Sequence, residues 1–211
     1  EGVELEYPWL KYRPRTLFAG VFIAAGIDGI ACSFCSEVPK NKLIANHRTP
    51  LDKISEDDCV SVFIQPAGSE NYYAWEINSE GNCHNYRAQC GEKNDELKFD
   101  YEWKSQVNIT TSVEDEFWYL NIFIPWTDFS FGPVFLHTSL EGQEWRFTCN
   151  RTDNTGMENE RQKREKQQSK VKGTPKKNNP GLQTLVEGTE FPSFHQNEYF
   201  AAGRFQSYEK I

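Results

Sequence analysis

The feature that most constrains this chain is a series of short apolar runs, each rich in β-branched and aromatic residues and each closed by a turn signal. Three of them read CVSVFIQP (59–66), YYAWEIN (72–78) and FWYLNIFIPW (117–126). These runs are shorter than typical helices, and their apolar residues do not recur with a period of 3.6. They therefore predict β-strands, and the chain has no convincing helix outside one polar segment.

Residues 17–38 predict a β-hairpin. Apolar residues alternate on both sides of a turn that Asp28-Gly29 signals. The residues that share one face of the return strand are Ile30, Cys32 and Phe34.

Two more segments, 96–105 and 144–151, read as strands. ELKFDYEWKS (96–105) alternates apolar with charged residues, which predicts a half-exposed strand. The run 117–126 is apolar at nearly every position, so we expect it to be buried on both faces and to end at Pro125. EWRFTCNR (144–151) is a further strand. This pattern predicts an all-β fold, a single antiparallel β-sandwich of the jelly-roll or Ig-like kind, with residues 1–211 as one domain because no linker divides the chain.

A basic segment interrupts this acidic chain. The 211 residues carry a net charge of −8, yet residues 157–180 hold eight Lys and Arg against three Glu. One reading is a solvated insert loop in which ENERQKREKQQSK could form a helical turn. The other is a contact for a polyanion. Nucleic acid is disfavoured as the partner because no aromatic residue interleaves with the charges.

Composition suggests an extracytoplasmic protein, secreted or at the cell surface. Two glycosylation sequons begin at Asn108 and Asn150, and no run of about 18 apolar residues predicts a membrane span. The chain begins at Glu1, so we expect any targeting signal to have been removed. The six cysteines lead us to expect a disulfide, but they allow 15 pairings and the sequence does not choose among them.

Catalysis and metal chemistry find no support among the motifs. Cys32 and Cys35 have the spacing of a metal knuckle, but in a strand they point to opposite faces, and no second pair follows. Patterns typical of serine hydrolases, zinc proteases and phosphate-binding loops are absent. We therefore expect the protein not to be an enzyme.

Five motifs in order carry a family resemblance. They are DDCVSVFI (57–64), YYAWEIN (72–78), IPW (124–126), EWRF (144–147) and FHQNEYF (194–200). Together they resemble the family 9 carbohydrate-binding modules of polysaccharide-degrading bacteria. The resemblance implies a β-sandwich that binds sugar without catalysis, holding it between two aromatic rings while polar side chains take the hydroxyls. Some members bind calcium structurally, so the resemblance leaves structural calcium open here, with ligands that cannot be assigned to particular residues of this chain.

The resemblance also implies site residues. One family ring corresponds to Phe194, and the family amide falls near Asn150. The second ring would fall in 53–55, where no aromatic residue stands. Ser61 replaces an expected Glu, and Glu76 replaces an Arg found in some binders. The candidate carbohydrate-binding residues are Phe194, His195, Asn150, Arg146, Glu76 and Asn197.

The expected function is recognition of a sugar or polysaccharide end by stacking and polar contacts. The alternative is a structural or protein-interaction sandwich that has lost its sugar site, with the rings of 191–205 all packed inward. The sequence leaves open which sugar is bound, the oligomeric state and the role of the basic insert.

Overall fold

The computed structural model describes residues 2–4, 18–38, 43–49, 53–89, 98–129, 140, 142–154, 181–184 and 201–204. For residues 2–4, 181–184 and 201–204, only the backbone is described. The strands are β1 (Gly2–Glu4), β2 (Ala19–Ala25), β3 (Gly29–Glu37), β4 (Cys59–Gln65), β5 (Asn71–Asn78), β6 (Cys83–Gln89), β7 (Lys98–Asp100), β8 (Asn108–Glu114), β9 (Phe117–Pro125), β10 (Glu144–Asp153), β11 (Gly181–Thr184) and β12 (Ala201–Arg204). Within the described ranges, 3-10 helices cover Ile54–Glu56 and Trp126–Phe129.

The strands form two antiparallel sheets. The first sheet has the order β1-β2-β3-β9-β8. The second has the order β11-β10-β4-β5-β6-β7, and β12 pairs with β10 on the same edge as β11. The predicted all-β sandwich is confirmed, whereas its organisation as one domain stays a prediction.

The core lies between the two sheets and is built from both. Trp118 of β9 and Trp75 of β5 belong to one buried cluster. Trp126 and Trp145 meet edge to face with centroids 5.8 Å apart, so this core is rich in large rings. Trp75 also donates its indole N–H to Ser105, whose hydroxyl in turn donates to the buried carboxylate of Asp128.

The predicted hairpin is β2–β3, and its inward face is as expected. Ile30, Cys32 and Phe34 are buried, while Cys35 points outward. Gly29 begins β3 opposite Pro125 at a close approach, since an added Cβ atom would overlap the carbonyl oxygen of Ile124. The start of β3 therefore needs glycine, because β9 leaves no space for a side chain there.

The prediction for 117–126 is wrong in one respect. The strand ends at Pro125 as expected, but only alternate residues of β9 are buried. Tyr119 and Phe123 point outward and are 37% and 38% exposed. The reason is that the outer face of the first sheet is open to solvent, and β9 carries aromatic side chains on both faces.

The predicted strand at 96–105 is also too long. Strand β7 ends at Asp100, whose Oδ1 accepts hydrogen bonds from the backbone N–H groups of Glu102 and Trp103. This bend turns Trp103 toward the core, where it packs edge to face on Tyr73 and Trp75. A side chain that captures two backbone donors ended the strand, which alternation alone did not reveal.

Three further predictions concern the basic insert, the disulfide and the membrane span. The basic insert at 157–180 lies outside the described residues, so its role stays a prediction. The five described cysteines (Cys32, Cys35, Cys59, Cys83 and Cys149) are free thiols, so the expected disulfide is not found among them. Burial raises the pKa of Cys32 to about 12.

Among the described residues, no helix has the length and apolar character needed to span a bilayer.

Candidate functional site

The outward face of the second sheet carries a row of polar side chains that crosses four strands. The register places Asn150 of β10 opposite Ser61 of β4, Ser61 opposite Glu76 of β5, and Glu76 opposite His84 of β6. Paired residues of neighbouring strands project from the same face and lie about 5 Å apart. These four residues are called the polar row below.

The polar row is closed at one end and open at the other. Asn150 is fully buried, Ser61 is 3% exposed and Glu76 is 9% exposed. The side chain of His84 is 18% exposed. Beyond it, at the edge of the sheet, Tyr101 is 46% exposed. A ligand in solution would therefore meet the row first at the β6–β7 edge.

The polar groups of the row keep unused hydrogen-bonding capacity. The Nδ2 donor of Asn150 is buried and has no partner among the described side chains, and its Oδ1 lies 3.5 Å from the Thr148 hydroxyl. The carboxylate of Glu76 accepts a hydrogen bond from Tyr86 and lies 3.6 Å from Nδ1 of His84. A carboxylate has about four acceptor positions, so Glu76 can accept further hydrogen bonds.

Glu76 is the neighbouring charge that most affects the pKa values of Tyr86 and Cys83. Burial, and then the negative charge of Glu76, raise the pKa of Tyr86 well above its ordinary value, so the phenol stays a hydrogen-bond donor. The same two causes raise the pKa of Cys83 to about 12. Within the described part of the chain, no Lys or Arg side chain pairs with Glu76. Among the described residues, the basic side chain in contact with the Glu76 carboxylate is therefore His84 and not a Lys or Arg.

An apolar cluster flanks the polar row on the same face. It consists of Phe63, Tyr72, Ala74, Tyr86 and Ala88. Tyr86 stands beneath the exposed rings of Phe99 and Tyr101, which extend the cluster to the sheet edge. The face thus combines ring surface with amide and carboxylate groups, which is the combination that a sugar needs.

A hydrogen-bonded loop frames the site beyond Asn78. The carboxylate of Asp57 accepts bonds from the backbone N–H groups of Asn46 and His47, from the ring of His47 and from Nδ2 of Asn78. Burial alone would raise the pKa of Asp57, but these hydrogen bonds outweigh it and lower the pKa. Asn78 pairs with Cys59, one row beyond Ser61, so this network fixes the loop that leads into β4.

The sequence-predicted site residues separate into three groups. Asn150 and Glu76 come together in the polar row. Arg146 lies on the same face but four residues along β10 from Asn150, roughly 13 Å away, and it is exposed beside Gln65. Phe194, His195 and Asn197 lie outside the described residues, so their roles remain predictions.

His84 is a candidate that the sequence reasoning missed. The signal that could have found it is the turn at 79–82, because a hairpin with this turn sets His84 opposite Glu76. Strand β6 was not recognised because its sequence CHNYRAQ is mostly polar. Ser61 is a further candidate site residue, since it lies between Asn150 and Glu76 in the register of the sheet.

Two other sequence expectations can be placed. The sequon at Asn150 is buried within β10, so it is closed to a glycan in the folded chain, whereas Asn108 on β8 is exposed. Over the residues that the structure describes, no three His, Cys, Asp or Glu side chains converge as metal ligands. Structural calcium elsewhere stays an open expectation.

Comparison with known proteins supports the fold. No protein-family profile matches the chain, and no curated protein matches it. Among solved structures, it is similar to a candidate carbohydrate-binding protein from Bacteroides uniformis, with 19% identity, a TM-score of 0.63, and coverage of 96% of this chain and 84% of that one.

It is also similar to a family 9 carbohydrate-binding module from Caldicellulosiruptor kristjanssonii. The complex of that module with glucose gives 10% identity and a TM-score of 0.57, covering 99% of this chain and 87% of that one. The complex with cellotriose gives 10% identity and a TM-score of 0.58, with 99% and 84% coverage. The chain therefore has a fold like that of family 9 modules.

Proposed function

We propose that the protein is a non-catalytic carbohydrate-binding module and that it binds sugar at the outward face of its second sheet. The observation that carries the proposal is the polar row, buried at Asn150 and open at His84, beside an apolar cluster that ends in exposed rings. Similarity in fold to modules solved with glucose and with cellotriose supports it.

The chemistry of the row suits sugar hydroxyls. Each hydroxyl can donate one hydrogen bond and accept two, so neighbouring hydroxyls are best met by a donor beside an acceptor. Asn150 offers an amide donor that has no partner among the described residues. Glu76 offers carboxylate acceptors, and the Ser61 hydroxyl lies between the two. The Glu expected at 61 is thus replaced by a Glu on the paired position of the next strand.

The remaining parts of the function follow from this proposal. Binding of a sugar or polysaccharide end needs no acid–base pair, so the protein acts by recognition alone. Phe194 would stack on the sugar, with His195 and Asn197 beside it, and an extracytoplasmic location would give access to polysaccharide.

A second function, a structural or protein-interaction sandwich, is favoured by one observation. Asn150 and Ser61 are almost completely buried, as they would be if the old sugar site had been filled. Under this alternative the polar row is part of a second core and binds no glycan.

Glu76→Gln is the variant that tests the proposed function. The parent chain is first screened on a glycan array, and a retained glycan is then titrated against the parent and the variant. We expect binding to weaken by about ten-fold or more, because an amide with nearly the same shape replaces two carboxylate acceptors. Glu102→Gln, an exposed residue beyond β7, is the control and should bind like the parent.

Thermal melts on each variant separate the two functions. If no glycan is retained and Glu76→Gln only changes the melting temperature, the interaction sandwich replaces the proposal. Phe194→Ala gives a second reading. Loss of binding with an unchanged melt supports a stacking ring, and a loss of several kcal/mol in stability assigns Phe194 to the core.

A further inference from the structure

The described part of the protein has two exposed aromatic surfaces, and only one adjoins buried polar groups. On the first sheet, the outward rings are Phe22, Tyr119 and Phe123. Their neighbours in register include Ser33 and Asn121, whose side chains are already hydrogen-bonded to each other at 2.8 Å. On the second sheet, the exposed rings lie beside the polar row, where hydrogen-bonding capacity remains.

The rings at the β6–β7 edge form an ordered ladder. Phe99 and Tyr101 are nearly parallel, at 11°, with centroids 5.7 Å apart. Tyr101 and His84 are nearly parallel as well, at 19° and 5.6 Å. Tyr86 contacts all three rings from below, at 5.3 to 5.7 Å, and is only 3% exposed. These three outer rings are called the edge rings below.

A salt bridge and a tight bend hold the edge rings in place. Arg87 donates to Oδ2 of Asp100 at 2.6 Å, and this bond is the main cause of the lowered pKa of Asp100. Oδ1 of the same carboxylate accepts the backbone N–H groups of Glu102 and Trp103, at 3.1 and 3.2 Å. Tyr101 lies inside this bend, so its ring is oriented before any ligand arrives, which lowers the entropic cost of binding.

The Glu76 carboxylate beside the edge rings limits the ligand. Glu76 has no Lys or Arg partner in the described ranges, and the whole chain carries a net charge of −8. A sugar acid would bring a second carboxylate toward a partly buried one, and like charges in such a site repel strongly. A neutral sugar meets no such penalty, because its hydroxyls donate to Glu76.

We propose that Phe99, Tyr101 and His84 are an aromatic platform that receives the C–H face of an uncharged sugar while its hydroxyls reach Glu76. This inference rests on the proposed function and names a subsite of it. The platform supplies aromatic surface in place of the second ring that the family resemblance places in 53–55, where this chain has no aromatic residue. It lies where the polar row opens, so the sugar enters from the β6–β7 edge.

The test titrates the parent, Tyr101→Ala and Tyr101→Phe with four soluble trisaccharides. Cellotriose, mannotriose and N-acetylchitotriose are the neutral probes, and trigalacturonate is the acidic probe. Tyr119→Ala is the matched control, since Tyr119 is also an exposed tyrosine but lies on the other sheet. Melts establish that each variant is folded, and the ring proton resonances of His84 are followed by NMR during each titration of the parent.

We expect the parent to bind at least one neutral probe, with shifts of the His84 resonances, and to bind trigalacturonate more weakly. Tyr101→Ala should weaken binding at least about ten-fold, because one stacking ring is lost. Tyr101→Phe and Tyr119→Ala should bind within about three-fold of the parent.

Failure of the platform and failure of the proposed function give different results. If a neutral probe binds the parent and Tyr101→Ala equally and the His84 resonances do not move, the platform is overturned while sugar binding stands. Tighter binding of trigalacturonate overturns the restriction to uncharged sugars. If the parent binds none of the four probes and no glycan on the array, the proposed function falls and the platform falls with it.

Discussion

At the scale of single residues, Asp57 shows how a buried charge can be stabilised without a strong cation. Its carboxylate is fully buried, and its partners are two backbone N–H groups, the His47 ring and the Asn78 amide. Hydrogen bonds to an ionised acceptor are stronger than bonds between neutral groups. The folded state therefore prefers ionised Asp57, in agreement with its lowered pKa.

This preference makes stability depend on acid. Since the folded pKa of Asp57 lies below the ordinary value of 3.8, its stabilisation is complete above that value and is lost as the pH falls through the folded pKa. We expect the free energy of unfolding of the parent to fall below about pH 4. Asp57→Asn should be less stable at pH 7, because the charge is lost, but its stability should depend less on pH in the acid range.

Urea unfolding at pH 7, 4 and 2.5 measures this difference. Asp115→Asn is a suitable control, because Asp115 is exposed at the turn between β8 and β9. Equal acid dependence in the parent and in Asp57→Asn would show that the loop network does not hold the charge. Asp115→Asn should follow the parent at every pH.

At the scale of elements, the hairpin β2–β3 and its partner β9 show what the sequence revealed. Alternation and the Asp28-Gly29 signal correctly predicted the two strands and the inward face of β3. They did not reveal that β9 lies beside β3, because the pairing of strands distant in sequence depends on tertiary packing. For the same reason β9 was expected to be buried on both faces.

The candidate site divides along a similar line. Glu76 and Asn150 were found because the family resemblance marks their positions. Their alignment in one row across the sheet was not predicted. His84 was missed because nothing in the polar strand β6 distinguishes it until the sheet places it beside Glu76. The edge rings depend on the bend after Asp100, where one carboxylate interrupts an alternating pattern.

Gly29 provides a test of the β3–β9 contact. An alanine Cβ atom there would overlap the Ile124 carbonyl oxygen and lie 2.9 Å from Cζ of Phe123. Backbone of a central strand has little freedom to move, so we expect Gly29→Ala to lower the free energy of unfolding by about 2–3 kcal/mol. Denaturant unfolding monitored by circular dichroism measures the change.

Gly26→Ala is the matched control in the same turn. Its added Cβ atom would meet only the Gly29 carbonyl oxygen, at 3.8 Å, which is an ordinary contact. We expect a change of less than about 1 kcal/mol in either direction. Equal destabilisation by the two substitutions would contradict the close approach of β3 to β9 and point instead to the turn itself.

At the scale of the whole molecule, the shared core determines how the two sheets unfold. Buried residues from the first sheet, such as Ile122, and from the second, such as Ile77, belong to one cluster. If one sheet separated from the other, each would expose to water the apolar face that it now buries in the shared core. The two sheets should therefore be stable only together, as expected for one domain.

Ile122→Ala and Ile77→Ala, one on each sheet, test this cooperativity. We expect each to lower the free energy of unfolding by about 2–5 kcal/mol, because each leaves a cavity in the shared core. Tryptophan fluorescence and far-ultraviolet circular dichroism should give coincident transitions in both variants, since the buried indoles and the strands are lost in one step. Val113→Ala, at a residue 54% exposed on β8, should change stability by less than about 0.5 kcal/mol. Two separate transitions, with the substituted sheet melting first, would mean that the sheets are independent units and that the single-domain prediction is wrong.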